Sequence, residues 1–288
     1  MPHNLRMEHA VSYVYRQDQS FQSIAADGFH SHLHYEIYYF HEGICTYIVG
    51  EQIYQLRPGD VLLMHGRTLH RPHPQPGYPY IRSTLHFDPA LVERYVQPAH
   101  LHALLEPFEQ SSGCRLALGA QERSDLETLL EQLHRLPIGD DGKVPLTFMM
   151  KLCDVLALLA SCCEQEQPPL MQEGREQYAH AILDYIEQHY MEDITLEQIA
   201  DHLHLSRSYA ASLFKSWTGM TIFKYLYHRR INQAKLLLQY QQKLPISEIS
   251  RISGFKQPAH FSRMFKEETG VTPEAYRARL VGSGMGEL

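Results

Sequence analysis

Two short stretches of this chain are near copies of each other, and that duplication restricts the fold more than any other feature. Phe214-Lys215-Ser216-Trp217-Thr218-Gly219-Met220-Thr221 and Phe265-Lys266-Glu267-Glu268-Thr269-Gly270-Val271-Thr272 both read F-K-x-x-T-G-x-T, 51 residues apart. Upstream, Leu196-Glu197-Gln198-Ile199-Ala200 matches Ile246-Ser247-Glu248-Ile249-Ser250 at an offset of 50. Self-similarity at a fixed period marks a duplicated supersecondary unit.

Each copy reads as helix, turn, helix. In the first, Thr195 caps a short helix with Leu196, Ile199, Ala200 and Leu203 on one face. Ser206 caps a second helix that buries Tyr209, Ala210, Leu213 and Phe214 and ends at Gly219 in a left-handed cap. In the second copy, Ile246, Ile249 and Ile252 form the first helix and Gly254 the turn. Phe261, Met264 and Phe265 are the buried face of the next helix, which Gly270 ends. The span 206–266 gathers eleven basic residues against one acidic residue, Glu248. Concentrated positive charge is the electrostatic footprint of a nucleic-acid binder. A helix-turn-helix lays its second helix in the major groove. Residues between the apolar positions of that helix then meet DNA: Arg207, Ser208, Ala211, Ser212 and Lys215, and in the second copy Lys256, Gln257, Ala259, His260, Arg263 and Lys266.

The run I-S-E-I-S-R-I-S-G-F-K-Q-P-A-H-F-S-R-M-F-K-E-E-T-G-V-T-P-E-A-Y-R over 246–277 resembles the signature of AraC/XylS-type transcription regulators, and the likeness extends over about 178–280. The resemblance implies two helix-turn-helix units joined by a long helix, about 222–241 here, reading successive major-groove segments of one duplex. It puts base-reading positions at Ser208, Ala211 and Ser212, and at Pro258, Ala259, His260 and Arg263. Arg263 is the candidate guanine contact, since Arg pairs bidentately with guanine's groove edge. Ala211 and Ser212 are small where the family usually has long polar side chains. That substitutes thymine-methyl contacts, or phosphate contacts from Arg207 and Lys215, for strong base readout by the first helix.

Charge also divides the chain. Residues 178–288 carry 13 basic and 11 acidic residues, whereas 1–177 carry 13 and 22, within an overall net charge of −7. An acidic front that avoids DNA and a back that grips it are expected, in a chain of 288 residues suited to two domains. No stretch is expected to reach the ~18 apolar residues of a membrane span, and no signal-peptide core opens the chain, so a cytoplasmic protein is expected. Five cysteines, Cys45, Cys114, Cys153, Cys162 and Cys163, without metal spacing read as free thiols.

The front half opens with an arm over about 1–20 and continues as short strands divided by turns: 28–40, 44–49, 52–56, 61–64 and 80–87. Many short strands with Gly/Pro turns predict an antiparallel barrel or sandwich. The order H-x-H-x-x-x-E, G, P-G-D, H over about 29–87 resembles a cupin. Alternation along a strand puts His30, His32, His34, Glu36 and Tyr38 on one face. If that face points inward it lines a pocket, with Tyr38, Tyr47, Tyr54, Tyr80 and Arg82 as further candidates, a set that suits a sugar and equally suits a core. The cupin resemblance assigns His30, His32, Glu36 and His70 the spacing of a metal site, and imidazole with carboxylate suits Zn, Fe, Mn or Ni. Three readings stay open: direct binding of a small polar ligand at His30, His32, His34, Glu36, Tyr38, Tyr47, His70 and Arg82, a bound divalent metal with no cofactor otherwise required, and structural histidines.

Helices follow, from Asp88-Pro89 to Val96, over 124–136 and over 146–163. The last is apolar on more than one side, which suits packing against the barrel or a homodimer interface through the helices at 124–163, and the dimer is the expectation. Gln165-Glu166-Gln167-Pro168-Pro169 reads as linker. The expectation is an α+β chain of two domains: a cupin-like ligand-binding and dimerisation domain at 1–163, a linker at 164–177 and a double helix-turn-helix domain at 178–288. The expected function is a non-enzymatic, ligand-responsive transcription regulator that binds double-stranded DNA. It is expected to sense a carbohydrate, activate a carbohydrate-utilisation operon and contact RNA polymerase. A metal-dependent cupin enzyme, or a metal-sensing cupin, fused to a DNA-binding module is the alternative.

Overall fold

The computed structural model describes residues 10–18, 29–32, 34–109, 113–137, 144–163 and 174–282. The chain divides into two compact units, Met1–Met171 and Gln172–Leu288.

The first unit is built on eight strands: β1 Val11–Asp18, β2 Tyr35–Gly43, β3 Cys45–Val49, β4 Gln52–Leu56, β5 Asp60–His65, β6 His70–Pro74, β7 Tyr80–Phe87 and β8 Cys114–Ala117. They form a five-stranded sheet in the order β1-β7-β2-β5-β8 and a three-stranded sheet in the order β4-β3-β6, and every pairing is antiparallel. Side chains on β2 alternate between two cores. Tyr38 and Phe40 join Cys45, Tyr47, Val49, Leu56, Leu62, Met64 and Tyr80 between the sheets. Tyr35, Ile37 and Tyr39 face the other way, into a core shared with the helices. Both faces of β2 are therefore buried, which is why it reads as an almost unbroken apolar run. At its end Gly43 takes φ 124°, and a side chain there would collide with the carbonyl of Pro79, so only glycine fits.

Helices α1 Pro89–Glu93, α2 Pro98–Leu105, α3 Ala120–His134 and α4 Leu146–Cys163 accompany the sheets. Asp88 caps α1 by accepting from the Ala90 N–H. On α3 Leu126, Leu130 and Leu133 are buried, and on α4 Phe148, Met149, Leu152, Val155, Leu156 and Leu159, all in one core with the outer face of the large sheet.

Several sequence expectations need correction. The expected arm contains β1, whose Val11 is buried and whose Tyr13 and Tyr15 pack on the helical core. Alternation is masked there by a bulge between Val14 and Gln17, with Arg16 at φ 44°. Of the expected strand at 28–40, the regular part starts at Tyr35, with His30 held only by an isolated bridge to His70. Strands β6 and β8 were not anticipated. β6 carries Pro72 and Pro74 on an edge of the small sheet, where the missing N–H is tolerated. The helix expected to run to Val96 stops at Glu93, and the one expected from Ser124 starts at Ala120. Finally, α4 is an 18-residue helix of mean hydropathy 1.8, long and apolar enough to cross a membrane, where no such stretch was expected. Its six buried residues, Phe148, Met149, Leu152, Val155, Leu156 and Leu159, form one stripe against the core, while Leu146 and Met150 stand exposed.

The second unit is helical: α5 Arg175–His189, α6 Leu196–His202, α7 Arg207–Thr218, α8 Ile222–Tyr240, α9 Ile246–Ile252, α10 Pro258–Thr269 and α11 Pro273–Gly282. Thr195 and Gln198 form a reciprocal capping box at α6. Ser206 caps α7, and Gly219 ends it at φ 73°. The second copy keeps the glycine end, with Gly270 at φ 77°, but begins α10 with Pro258 after an uncapped Gln257. Ile231, Ala234 and Leu238 of α8 pack with Ile249, Phe255, Phe261 and Phe265 in the second copy's core.

Candidate effector and DNA-binding sites

The inward face of β2 begins with Glu36, a carboxylate only 2% exposed. Three imidazoles reach the same carboxylate oxygen: His32 Nε2 at 3.1 Å, His70 Nε2 at 3.2 Å and His86 Nε2 at 3.2 Å. His30 lies edge-on to His70, ring centres 4.3 Å apart. The ligand atoms of His30, Glu36 and His70 lie within 4.8 Å of one another, and so do those of His32, Glu36 and His86. Gly66 is part of the construction, since a Cβ there would strike the His32 ring.

Hydrogen bonds fix what the rings present. His32 Nδ1 lies 3.1 Å from the carbonyl of His34, and His70 Nδ1 lies 2.7 Å from the carbonyl of Thr68. A carbonyl only accepts, so each Nδ1 carries its hydrogen and each Nε2 faces Glu36. Burial pushes the pKa of His32 down to about 4, outweighing the pull of Glu36, so at neutral pH its Nε2 is a bare lone pair. Burial also opposes the charge on Glu36, but the surrounding imidazoles, His86 foremost, hold its carboxyl well below the usual carboxylate range. A bare Nε2 lone pair on His32, and on His70 by the same tautomer, cannot donate to the carboxylate it faces, and a shared proton or a metal cation between them would hold these atoms together.

Deeper between the sheets Tyr38 donates to the Tyr80 hydroxyl at 2.9 Å, and Tyr47 stands edge-on to Tyr38 at 4.7 Å. Arg82 lies 5.2 Å from the Tyr80 ring centre, and its buried Nη1 has no hydrogen-bond partner among the described residues. Burial pushes the Tyr38, Tyr47 and Tyr80 hydroxyls well above their ordinary range, so all three stay neutral donors and acceptors.

The structure thus gathers His30, His32, Glu36 and His70, with Tyr38, Tyr47 and Arg82 further along the same interior. His34 is buried but sits outside both ligand-atom groups, where it contributes a carbonyl. Sequence reasoning missed His86. Part of the signal was available, since alternation puts Tyr80, Arg82, Thr84 and His86 on one face of β7; the structure adds the register that sets His86 opposite Glu36.

On the helical unit Arg207, Ser208, Ser212 and Lys215 are exposed on α7, and Ala211 is half-buried. On and before α10, Lys256, Gln257, Pro258, Ala259, Arg263 and Lys266 are exposed. His260 is half-buried, edge-on to Tyr227 and Phe255. The 51-residue offset superposes Lys215 on Lys266 but Ser212 on Arg263. The basic count overstates the charge available to a ligand. Arg230 donates to the carbonyls of Tyr190 at 2.7 Å and Glu192 at 2.6 Å, tying the end of α5 to α8. Arg229 pairs with Glu187 at 2.6 Å and covers the Tyr190 ring. Arg251 and Lys256 sit in exposed ion pairs with Glu248 and Asp193.

Residues 11–146 match the profile of the AraC-like ligand binding domain, and residues 199–279 match that of a helix-turn-helix domain. The regulatory protein PocR of Salmonella typhimurium is 35% identical over 98 residues, 34% of this chain and 32% of PocR. YpdC of Escherichia coli, an uncharacterized HTH-type transcriptional regulator, is 26% identical over 79% of this chain and 76% of its own length. Thus the chain spans about a third of PocR and about three-quarters of YpdC. Among solved structures, the DNA-binding domain of the global transcriptional factor AdpA, in complex with a target DNA, is 26% identical. That likeness covers 36% of this chain and 93% of the AdpA chain, with a TM-score of 0.34.

Proposed function

The chain belongs to the AraC family of DNA-binding transcription regulators, with an N-terminal ligand-binding domain, and from that premise we propose that occupancy of the barrel interior controls how the two helix-turn-helix units engage DNA. One observation carries this reading: the chain that bears the recognition helices also buries a polar cluster of three imidazoles around the Glu36 carboxylate. An effector that binds one arrangement of the protein better than another shifts the population toward it.

The first class of effector to test is a carbohydrate. Its support is the aromatic and polar lining of Tyr38, Tyr47 and Tyr80 with the unmet donor of Arg82. The same proposal includes activation of a carbohydrate-utilisation operon in the cytoplasm, with a contact to RNA polymerase. A homodimer through α3 and α4 belongs to the same reading, supported by Leu146 and Met150, which stand 60% and 62% exposed on α4.

A second reading is favoured by the orientation of the imidazoles. A divalent transition-metal ion at Glu36, held with His32 and His86 or with His30 and His70, would place positive charge beside the carboxylate and take up the imidazole lone pairs. The metal would then be the effector, or would fix the wall on which the effector rests.

Chelator-treated full-length protein is titrated by calorimetry with a sugar panel and, separately, with Zn, Mn, Ni and Fe(II), while its affinity for a selected duplex is followed. Tight binding of a sugar or a metal with a changed DNA affinity supports control by the barrel. Tight binding with unchanged DNA affinity removes the coupling.

A further inference from the structure

Outside both sites two thiols lie in contact. Cys114 Sγ and Cys163 Sγ are 3.7 Å apart, although 49 residues separate them in sequence. Their backbones come from different elements. Cys114 opens β8, where it pairs in register with Leu63 of β5. The residue before it is Gly113 at φ 71°, where an added Cβ would lie only 3.2 Å from the Leu63 carbonyl and from Val49. That close fit holds the start of β8 in place. Cys163 is the last residue of α4, whose six buried side chains anchor the helix in the core. A disulfide requires an S–S distance of about 2.05 Å, so two sulfurs 3.7 Å apart must close by less than about 2 Å.

Cys162 is half-buried beside Cys163 against the same core, but Cys45 and Cys153 are placed differently. Cys45 is 1% exposed, and burial pushes its thiol up to about 12, which keeps it an inert thiol. Burial and the neighbouring Asp154 raise Cys153 as well. Cys114 and Cys163 are half-buried at the edge of the core, within reach of small oxidants.

We propose that Cys114 and Cys163 form a site of reversible thiol oxidation, a disulfide that fastens the last turn of α4 to β8 in response to a peroxide. One thiolate attacks a peroxide oxygen: an S–O bond forms, the O–O bond breaks and, with a proton, water leaves. The second thiolate attacks the resulting sulfenic sulfur: the S–S bond forms, the S–O bond breaks and a second water leaves. Two thiols and one hydrogen peroxide become one disulfide and two waters, and a dithiol reductant reverses the change. Helix ends fray more readily than helix middles, so the bond acts on the last turn of α4. This site is independent of the effector reading.

The test is peptide mapping of the full-length chain. Reduced protein is treated with stoichiometric hydrogen peroxide, remaining thiols are alkylated, and tryptic peptides are sequenced by mass spectrometry. The expected product joins the peptide holding Cys114 to the one holding Cys153, Cys162 and Cys163, with fragmentation placing the bond at Cys163. Cys163→Ser should lower the crosslink at least tenfold, while Cys162→Ser leaves it in place. Both variants should keep the circular dichroism of the reduced wild type. The oxidised wild type should also melt at a higher temperature, reversibly with dithiothreitol, because the bond closes a long loop in the unfolded chain. Cys114 that stays fully alkylatable after peroxide, a dominant Cys162–Cys163 bond, or a dominant crosslink between two chains would overturn the proposal.

Discussion

The two units concentrate polar side chains in opposite ways. The barrel turns them inward: Glu36 and three imidazoles meet out of water, where an unpaired charge is costly, and backbone carbonyls fix the tautomers of His32 and His70. The helical unit turns them outward: Arg207, Lys215, Arg263 and Lys266 stand exposed on two short scaffolds. Inside, identity at a single position decides whether the cluster balances. Outside, long-range charge gives affinity, and only a few positions discriminate among sequences. Substitutions should therefore be severe and local in the barrel, and graded on the recognition helices.

The largest effect is expected at Glu36. Glu36→Gln keeps the shape and removes the charge that two sets of donors share, so affinity for a divalent ion should fall more than ~100-fold, beyond the range seen for outer-shell partners. Calorimetry on chelator-treated protein measures it, and an unchanged isotherm would break the inward half of the comparison. Next is Arg230, which is inward-facing chemistry inside the helical unit. Arg230→Ala strips two carbonyls of their donor and should cost roughly 3 kcal/mol in a urea melt of that unit. A loss confined to DNA affinity would instead make Arg230 a DNA contact.

On the outward face, Arg263→Ala should cost roughly 1–3 kcal/mol in binding and relax preference at one base pair, whereas the same loss on all duplexes would make it a phosphate contact. Ser212→Ala, at the matching position of the other copy, should change affinity by less than about 0.5 kcal/mol. An Arg263-sized loss at Ser212 would erase the difference between the copies.

The acid response should be smaller again. His41 Nδ1 faces Arg16 and its Nε2 faces Ser83 Oγ, and burial with Arg16 lowers its pKa from 6.5 to about 4. A depressed folded pKa means that the unfolded chain takes up the proton first. The contribution of His41 is complete above pH 6.5 and disappears as pH falls toward about 4. His41→Gln should flatten the melting temperature over that window, and an unaltered slope would assign the acid loss to other groups.

Legibility in the sequence followed the same division. The helical unit was readable because its signals are local: Thr195, Ser206, Gly219 and Gly270 cap where their chemistry requires, and the repeat supplies an internal comparison. What failed there was the charge count, since nothing in one dimension distinguishes Arg230, turned onto two carbonyls, from Arg263, turned to solvent. In the barrel, β7 and α4 were drawn at their observed bounds, while β1 was hidden by a bulge and β6 by its prolines. His30 and His32 meet Glu36 without a regular strand beneath them. Their convergence comes from the Gly66 turn and the bridge to His70, which are contacts between segments far apart in sequence. His86 was legible from alternation alone, but its register opposite Glu36 was not.

In the proposed mode of control the inward cluster governs the outward surface. The most direct measurement is the affinity of full-length wild type and Glu36→Gln for one duplex selected from a genomic pool, each with and without saturating divalent metal or the best-binding sugar. The account predicts at least a tenfold change on loading the wild type, and a Glu36→Gln protein that binds the duplex but responds to neither. Equal affinities for loaded and stripped wild type, with the barrel demonstrably occupied, would contradict it.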